Sequence, residues 1–324
     1  MSVSVMVSGN GELPVESVSA ISKMCEQTGK SAIWIGETTV RDAAVMAALS
    51  CFSTTKISVG TSVVNVYTRT AGQLAMMAST LNSLSKGRFI LGVGTSTETI
   101  VSGWHGVSFR SPMQTMEEVV KLLRLYFSGE RFEFKGKMYS PTNARMRTEW
   151  DQKLAVAALN PSMVRLAASL ADEVVLNLYP PRLLGEAKKI VEEQSARNAR
   201  GKPKLAAVVY SHVLGHETGI EAAKELLAFY GSAPAYAKLF VRAGFPEQAS
   251  EMLSAWSARN RNAAKQAVTQ QMIDELLYVG DVNGLKERIA EYLSLGVDEV
   301  IVAPFPFGNY YENIQAVSSA CIQP

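Results

Sequence analysis

Cysteine is scarce. The 324 residues hold three, Cys25, Cys51 and Cys321, far apart. An odd, scattered set makes no disulfide framework and no zinc site, and it points to reduced thiols in a cytoplasmic protein. Histidine is as rare, with His105, His212 and His216. The last two have metal-ligand spacing, but Gly215 lies between them and no third ligand stands beside them, so no metal is expected. Charge of one sign is also lacking. Lys and Arg number 32 against 30 Asp and Glu, a net charge of +2, with no run of like charges. That balance argues against a dedicated nucleic-acid or membrane-surface protein. No window approaches the ~20 apolar residues that span a bilayer. The opening MSVSVMVSG has neither the cationic segment nor the long apolar core of a secretion signal. No repeat and no low-complexity linker divides the chain.

What is present is ample core material, 47% apolar against 19% charged. The stretch Lys56–Ser96 organises it. Two short β-branched runs, Ile57–Val59 and Phe89–Val93, bracket a segment with Leu74, Met77, Ala78, Leu81 and Leu84 at helical spacing. Lys86-Gly87 closes that helix, and Met76-Met77 reads as its core. Strand, helix and strand at this length make one βαβ unit with parallel neighbouring strands. Both strands run into polar, Gly-containing loops, Gly60–Asn65 and Gly94–Glu98, at the ends where parallel α/β folds bind ligands.

The same alternation fills the chain. Strands are expected at Ser2–Val7, Ala32–Ile35, the two runs above, Leu154–Ala158, Asp172–Leu176, Leu205–Leu214 and Glu299–Ala303. Helical patterns run over Val15–Thr28, Arg41–Phe52, Pro112–Phe127, from Asn160 to Leu170, from Pro180 to about Ala199, and from Asp281 to Leu295. Eight such strands predict an α/β fold, a single (β/α)8 TIM barrel over residues 1–324. Insertions are expected after the fourth and seventh strands, at about 97–150 and 218–278. The first should hold a hairpin at Arg131–Ser140, turning at Lys135-Gly136; the second should be mostly helical.

Several of these stretches resemble the bacterial luciferase-like superfamily, and within it the deazaflavin (coenzyme F-420)-dependent oxidoreductases, which include methylenetetrahydromethanopterin reductase. They are the segment Val59–Arg69 (VGTSVVNVYTR), Ala78–Asn82, Gly87–Thr95 (GRFILGVGT), Gly103-Trp104-His105-Gly106, Arg165-Leu166-Ala167 and Gly296-Val297-Asp298. The resemblance implies a flavin-type ring at the strand carboxyl ends. It also implies a non-prolyl cis peptide after the third strand, here Ser62–Val63, forming a bulge behind the ring. Ser62, Val63, Asn65, Gly94, Thr95, Ala158, Asn160, Pro161 and Ser162 then become the expected cofactor contacts.

The residues themselves support parts of this. Gly92-Val93-Gly94-Thr95-Ser96 offers small residues and hydroxyls to an approaching anion, or simply a tight barrel turn; it lacks the spacing of a dinucleotide fingerprint. Asn160-Pro161-Ser162 opens a helix whose free N–H groups suit a phosphate, or is plain N-capping. Glu37 is read either as a proton relay or ring-orienting group, or as a helix-capping carboxylate at the rim. Related reductases often follow this acid with His; here it is Thr38. His105, beside Trp104, is a candidate acid–base group or a surface histidine. Arg69 pairs with a carboxylate or faces an anionic cofactor tail.

The expected activity is hydride transfer between the deazaflavin and an organic substrate. The rivals are an FMN-dependent monooxygenase on the same barrel and a flavin-binding protein without catalysis. A small-molecule substrate and a homodimer are expected, with no nucleic acid or membrane partner.

Overall fold

Short β-branched runs alternating with amphipathic segments close here into a cylinder. The computed structural model describes residues 2–9, 13–147, 151–307 and 309–320. In chain order its strands are β1 (Ser2–Val7), β2 (Ala32–Ile35), β3 (Ser58–Thr61), β4 (Val64–Asn65), β5 (Phe89–Gly94), β6 (Lys153–Ala158), β7 (Glu173–Asn177), β8 (Lys204–His212), β9 (Tyr278–Val279) and β10 (Glu299–Pro304). The wall runs β10-β1-β2-β3-β5-β6-β7-β8, and β8 pairs back onto β10, so eight parallel strands form a closed ring. The two-residue strands β4 and β9 only extend β5 and β8. A TIM barrel with its helices outside is therefore the observed fold. Each wall strand lies within one or two residues of the run that anticipated it.

Side-chain size sets the barrel interior. Trp34 on β2 is fully buried, and a Cβ on Gly60 of β3 would lie 2.5 Å from its ring. Only glycine there leaves room for the indole. The Trp34 Nε1–H donates to Glu299 Oε1 at 2.9 Å, and the Ser4 hydroxyl donates to the same oxygen at 2.6 Å. Glu299 begins β10 and Glu173 begins β7, so both lie at the amino-terminal floor. Burial, helped by the charge of Glu299, pushes the Glu173 carboxyl up to about 8, so it is largely neutral at pH 7.

The helical layer follows from stripe and cap. Helix Pro112–Phe127 carries Pro at its start and buries Met116, Val119, Val120, Leu123 and Phe127, the face read from the sequence. It packs between helices Ala71–Leu84 and Pro161–Leu170, so it is the fourth crossover helix, with inserted chain on either side. Helix Ala71–Leu84 starts in a capping box of Thr70 with Gln73 and is followed by Lys86 and Gly87, both at positive φ. Met76 departs from the core expectation: it is 64% exposed, because it lies on the outer side of that helix.

The hairpin expected at Arg131–Ser140 is a looser loop. One antiparallel bridge joins Phe132 to Ala144, and the Gly136 N–H donates to the Tyr139 carbonyl at 2.9 Å, so the turn falls just beyond Lys135-Gly136. Buried Glu118 holds it, accepting the N–H groups of Lys137, Met138 and Tyr139 at 2.8–3.0 Å. A Cβ on Gly136 would meet that carboxylate at 2.2 Å. Elsewhere Glu26 accepts three successive N–H groups, of Thr55, Lys56 and Ile57, at 2.6–3.0 Å. Burial opposes ionisation there, but those donors win and hold the carboxyl near 2.

The second insertion is helical, as expected: His216–Gly231, Pro234–Arg242, Pro246–Ser257, Arg261–Gln266 and Gln270–Leu276. A final helix, Tyr310–Ala320, packs on the first, Ser17–Gln27, and was not anticipated. Cys25 and Cys51 are buried; Cys321 and the end of the first insertion, 148–150, lie outside the described residues. No helix among the described residues is long and apolar enough to cross a membrane.

Candidate active site at the barrel mouth

The carboxyl ends of the parallel strands surround a cavity of about 220 Å³. Its first wall comes from the organising βαβ unit. The Ser62–Val63 peptide is cis, as the resemblance implied. Glycines let the chain come close at this point. A Cβ on Gly92 would sit 1.7 Å from the Thr61 carbonyl oxygen, and one on Gly94 would sit 2.3 Å from Val63 Cγ2. The Thr61 hydroxyl locks β3 to β5, donating to the Gly92 carbonyl at 2.8 Å and accepting the Gly92 N–H at 2.9 Å. Asn65 is buried on the same wall. Its Oδ1 accepts the Tyr67 N–H at 2.8 Å, while its Nδ2 is buried without a partner. An unpaired buried amide donor loses hydration without compensation, so it marks a place where a ligand acceptor fits.

Eight of the residues expected at the site line the cavity: Glu37, Ser62, Val63, Asn65, Gly94, Thr95, His105 and Asn160. Three do not. Ala158 is 1% exposed and faces the helices, because alternation on β6 turns Ala157 and Leu159 inward instead. Pro161 and Ser162 form the first turn of the helix Pro161–Leu170, outside the lining. Asn160 caps that helix, its Oδ1 accepting the Met163 N–H at 3.0 Å.

Glu37 is not free to work as a simple proton relay. Its two oxygens take a bidentate pair from Arg69 at 2.6 and 2.8 Å, and Oε2 also accepts the Ala43 N–H at 3.0 Å. Arg69 reaches Asp42 at 2.7 Å as well, and Asp42 caps helix Ala43–Ser53. The open choice for Arg69 thus resolves to a carboxylate pair, and Glu37 anchors the rim. His105 is exposed, edge-on to Trp104 with ring centres 4.6 Å apart. His212 is buried against Phe305 with ring centres 5.9 Å apart, and burial lowers its pKa. No group of three His, Cys, Asp or Glu among the described residues is placed to hold a metal.

The opposite wall was missed by sequence reasoning. Tyr210 of β8 meets Tyr230 and Tyr236, which come from the first two inserted helices. The Tyr210 and Tyr230 hydroxyls hydrogen-bond each other, and Asn177, at the end of β7, bonds the Tyr236 hydroxyl at 2.6 Å. Burial pushes all three phenols up, so they stay protonated. No Lys or Arg lines the cavity among the described residues.

The fold and this mouth define a TIM barrel with a candidate site at the carboxyl ends of its strands. Comparison with known proteins narrows that class. The luciferase-like monooxygenase family model matches residues 3–299, and the chain belongs to this family of oxidoreductases. A 5,10-methylenetetrahydromethanopterin reductase of Methanolobus tindarius is 27% identical over 91% of this chain and 92% of its own length. The structure of a coenzyme F420-dependent tetrahydromethanopterin reductase from Methanopyrus kandleri superposes with a TM-score of 0.80, at 23% identity, over 98% of this chain and 97% of that one. An F420-dependent secondary alcohol dehydrogenase, in complex with an F420-acetone adduct, superposes with a TM-score of 0.79 at 15% identity, over 100% and 99% of the two chains.

Proposed function

We propose that the protein transfers a hydride between deazaflavin coenzyme F420 and an organic substrate at the barrel mouth. The observation that carries this is the first wall: Val63 pressed against a glycine surface, with the buried Asn65 Nδ2 beside it and unpaired. A flat heterocycle with carbonyl oxygens on its edge fits that pairing of apolar face and lone donor. Val63 and Gly94 would back the ring, Asn65 would hold its edge, and Thr95 and Asn160 would stand toward its tail. When bound, the deazaflavin supplies the ring carbon that gives or takes the hydride. The chain's own part is to orient two reactants and exclude water, which is where most of the rate gain would arise. Glu37 keeps the rim in shape through Arg69, and His105 is the titratable group at the solvent side.

The test is a titration of protein made in a host without deazaflavin. Saturable binding of F420 with much weaker FMN binding is the expected result; the reverse would replace this reading with the FMN-dependent monooxygenase that the family description favours. Oxygen uptake with reduced FMN then separates the two chemistries. Tight cofactor binding without turnover over a substrate panel would leave a binding protein. We include in the proposal a cytoplasmic homodimer. Its support is a row of exposed apolar side chains on neighbouring helices, Val45 and Phe52 with Met76, of which Phe52 is 82% exposed. Phe52→Glu should yield a folded monomer by light scattering, and an unchanged mass would remove this face from consideration.

A further inference from the structure

The second wall has a specific chemistry that the hydride-transfer reading does not by itself require. Three phenols and one amide, Tyr210, Tyr230, Tyr236 and Asn177, converge on the cavity from two strand ends and two inserted helices. A core cluster would consume its own donors. This one does not. In the Tyr210–Tyr230 pair one hydroxyl donates and the other accepts, which leaves the acceptor's proton over. At Asn177–Tyr236, either orientation of the amide leaves a donor over: the Tyr236 O–H if Nδ2 donates, the amide N–H if Oδ1 accepts. Asn177 also stands within hydrogen-bonding reach of Tyr210 and Tyr230, so the cluster's three O–H and two N–H protons share at most four internal contacts. At least one donor is thus left over at the cavity wall, and it is uncharged.

The rest of the lining agrees. With no Lys or Arg in the lining among the described residues, no side-chain cation faces the second wall to pair with a charged substrate. Arg69, which bonds the lining residue Glu37, is committed to that carboxylate and to Asp42. Phe229, Ala233 and Ala235 give the insertion side of the same wall an apolar surface.

We propose that Asn177, Tyr210, Tyr230 and Tyr236 form the substrate wall and select an uncharged organic molecule that carries a carbonyl oxygen on an apolar frame. The carbonyl takes the spare donor of this cluster and the frame lies on the alanine and Phe229 surface. The wall is a specificity-determining device, set across the mouth from the surface assigned to the cofactor, and it deepens the hydride-transfer reading on which it rests. A substrate lacking the oxygen would leave a buried donor unpaired, which is the strongest kind of rejection a neutral site offers.

The experiment uses the full chain and two probes, cyclohex-2-enone and 3-oxocyclohexanecarboxylate, followed by saturation-transfer NMR with and without F420. The neutral enone should bind and the charged ketone should not. Tyr236→Phe and Tyr230→Phe should each weaken enone binding roughly five- to tenfold, one neutral hydrogen bond, while the F420 affinity and the melting temperature stay at wild-type values. Equal binding of enone by the variants, preference for the carboxylate, or no enone signal in the wild type would overturn the proposal. So would a loss of F420 affinity in the tyrosine variants, which would give this wall to the cofactor. Failure of the wild type to bind F420, with the enone pattern intact, would sink the hydride-transfer reading and leave the wall standing.

Discussion

The two ends of the barrel handle buried polar groups in opposite ways. At the floor, Glu299 is satisfied by Ser4 and Trp34, while Glu173, whose Oε1 is buried without a partner, avoids a buried charge by keeping a proton. At the mouth, Asn65 keeps an unpaired donor, and the second-wall cluster holds at least one proton more than its internal contacts use. One end spends its polarity on closing the cylinder, the other leaves it facing a cavity. Each end holds a buried unpaired atom, Glu173 Oε1 at the floor and Asn65 Nδ2 at the mouth, and they differ in that only the second belongs to a residue lining the cavity.

The contrast can be broken experimentally. Gly92→Ala should have the largest effect. Its Cβ would lie 1.7 Å from a backbone oxygen that has nowhere to go, so a loss of about 3 kcal/mol or more is expected. Thermal melting reads it, and a stable Gly92→Ala protein would mean that the mouth strands are looser than described.

Next comes the floor. The Glu173 carboxyl, ordinarily at 4.5, stands near 8 when folded. Between those values the folded state binds more protons at this group than the unfolded, so the contribution of Glu173 to stability is full below 4.5 and is lost as pH rises toward 8. The fall should be on the order of a few kcal/mol, and Glu173→Gln should flatten it. A wild-type melting temperature that rises across this window, with no contribution from Glu173, would contradict the floor's assignment.

Gly94→Ala is milder for the fold, because the Cβ meets the movable Val63 side chain at 2.3 Å. A loss of about 1–2 kcal/mol is expected, with F420 binding weakened far more than stability. The smallest effect is expected from Asn65→Ala: removing the unsatisfied Nδ2 partly offsets the lost Tyr67 N–H to Oδ1 bond, for a loss of about 1 kcal/mol, while F420 binding weakens roughly fivefold by the lost hydrogen bond. If Asn65→Ala destabilises the apo protein as much as a floor substitution does, the two ends do not differ as proposed.

Much of the architecture was legible because it rests on local regularities. Ala32–Ile35 was found at its expected bounds, as was helix Pro112–Phe127, whose apolar stripe and leading proline both act within a few residues. The first wall of the site was legible too, since its glycines, Ser62, Val63 and Asn65 lie along one βαβ unit. The second wall was not. Tyr210, Tyr230, Tyr236 and Asn177 reach one another only through the closure of the barrel and the fold of the insertion. The one sequence signal was alternation on β8, which turns Tyr210 inward beside Val208. Glu118 was equally opaque. A carboxylate on an amphipathic helix reads as solvent-facing, and nothing nearby announces a loop, residues 137–139, that will bring it three N–H groups. Ala158 was misplaced by a single step of strand alternation, and Met76 by its position beside a buried neighbour.

Glu26 carries one more consequence. By gripping the chain at Thr55–Ile57 it fastens two points about thirty residues apart, and so acts as a crosslink with no covalent bond. Because its carboxyl sits near 2 rather than 4.5, the fastening is complete above 4.5 and dissolves only as pH falls toward 2. A reductant leaves it untouched and strong acid opens it, a reversible staple for a chain so short of cysteine.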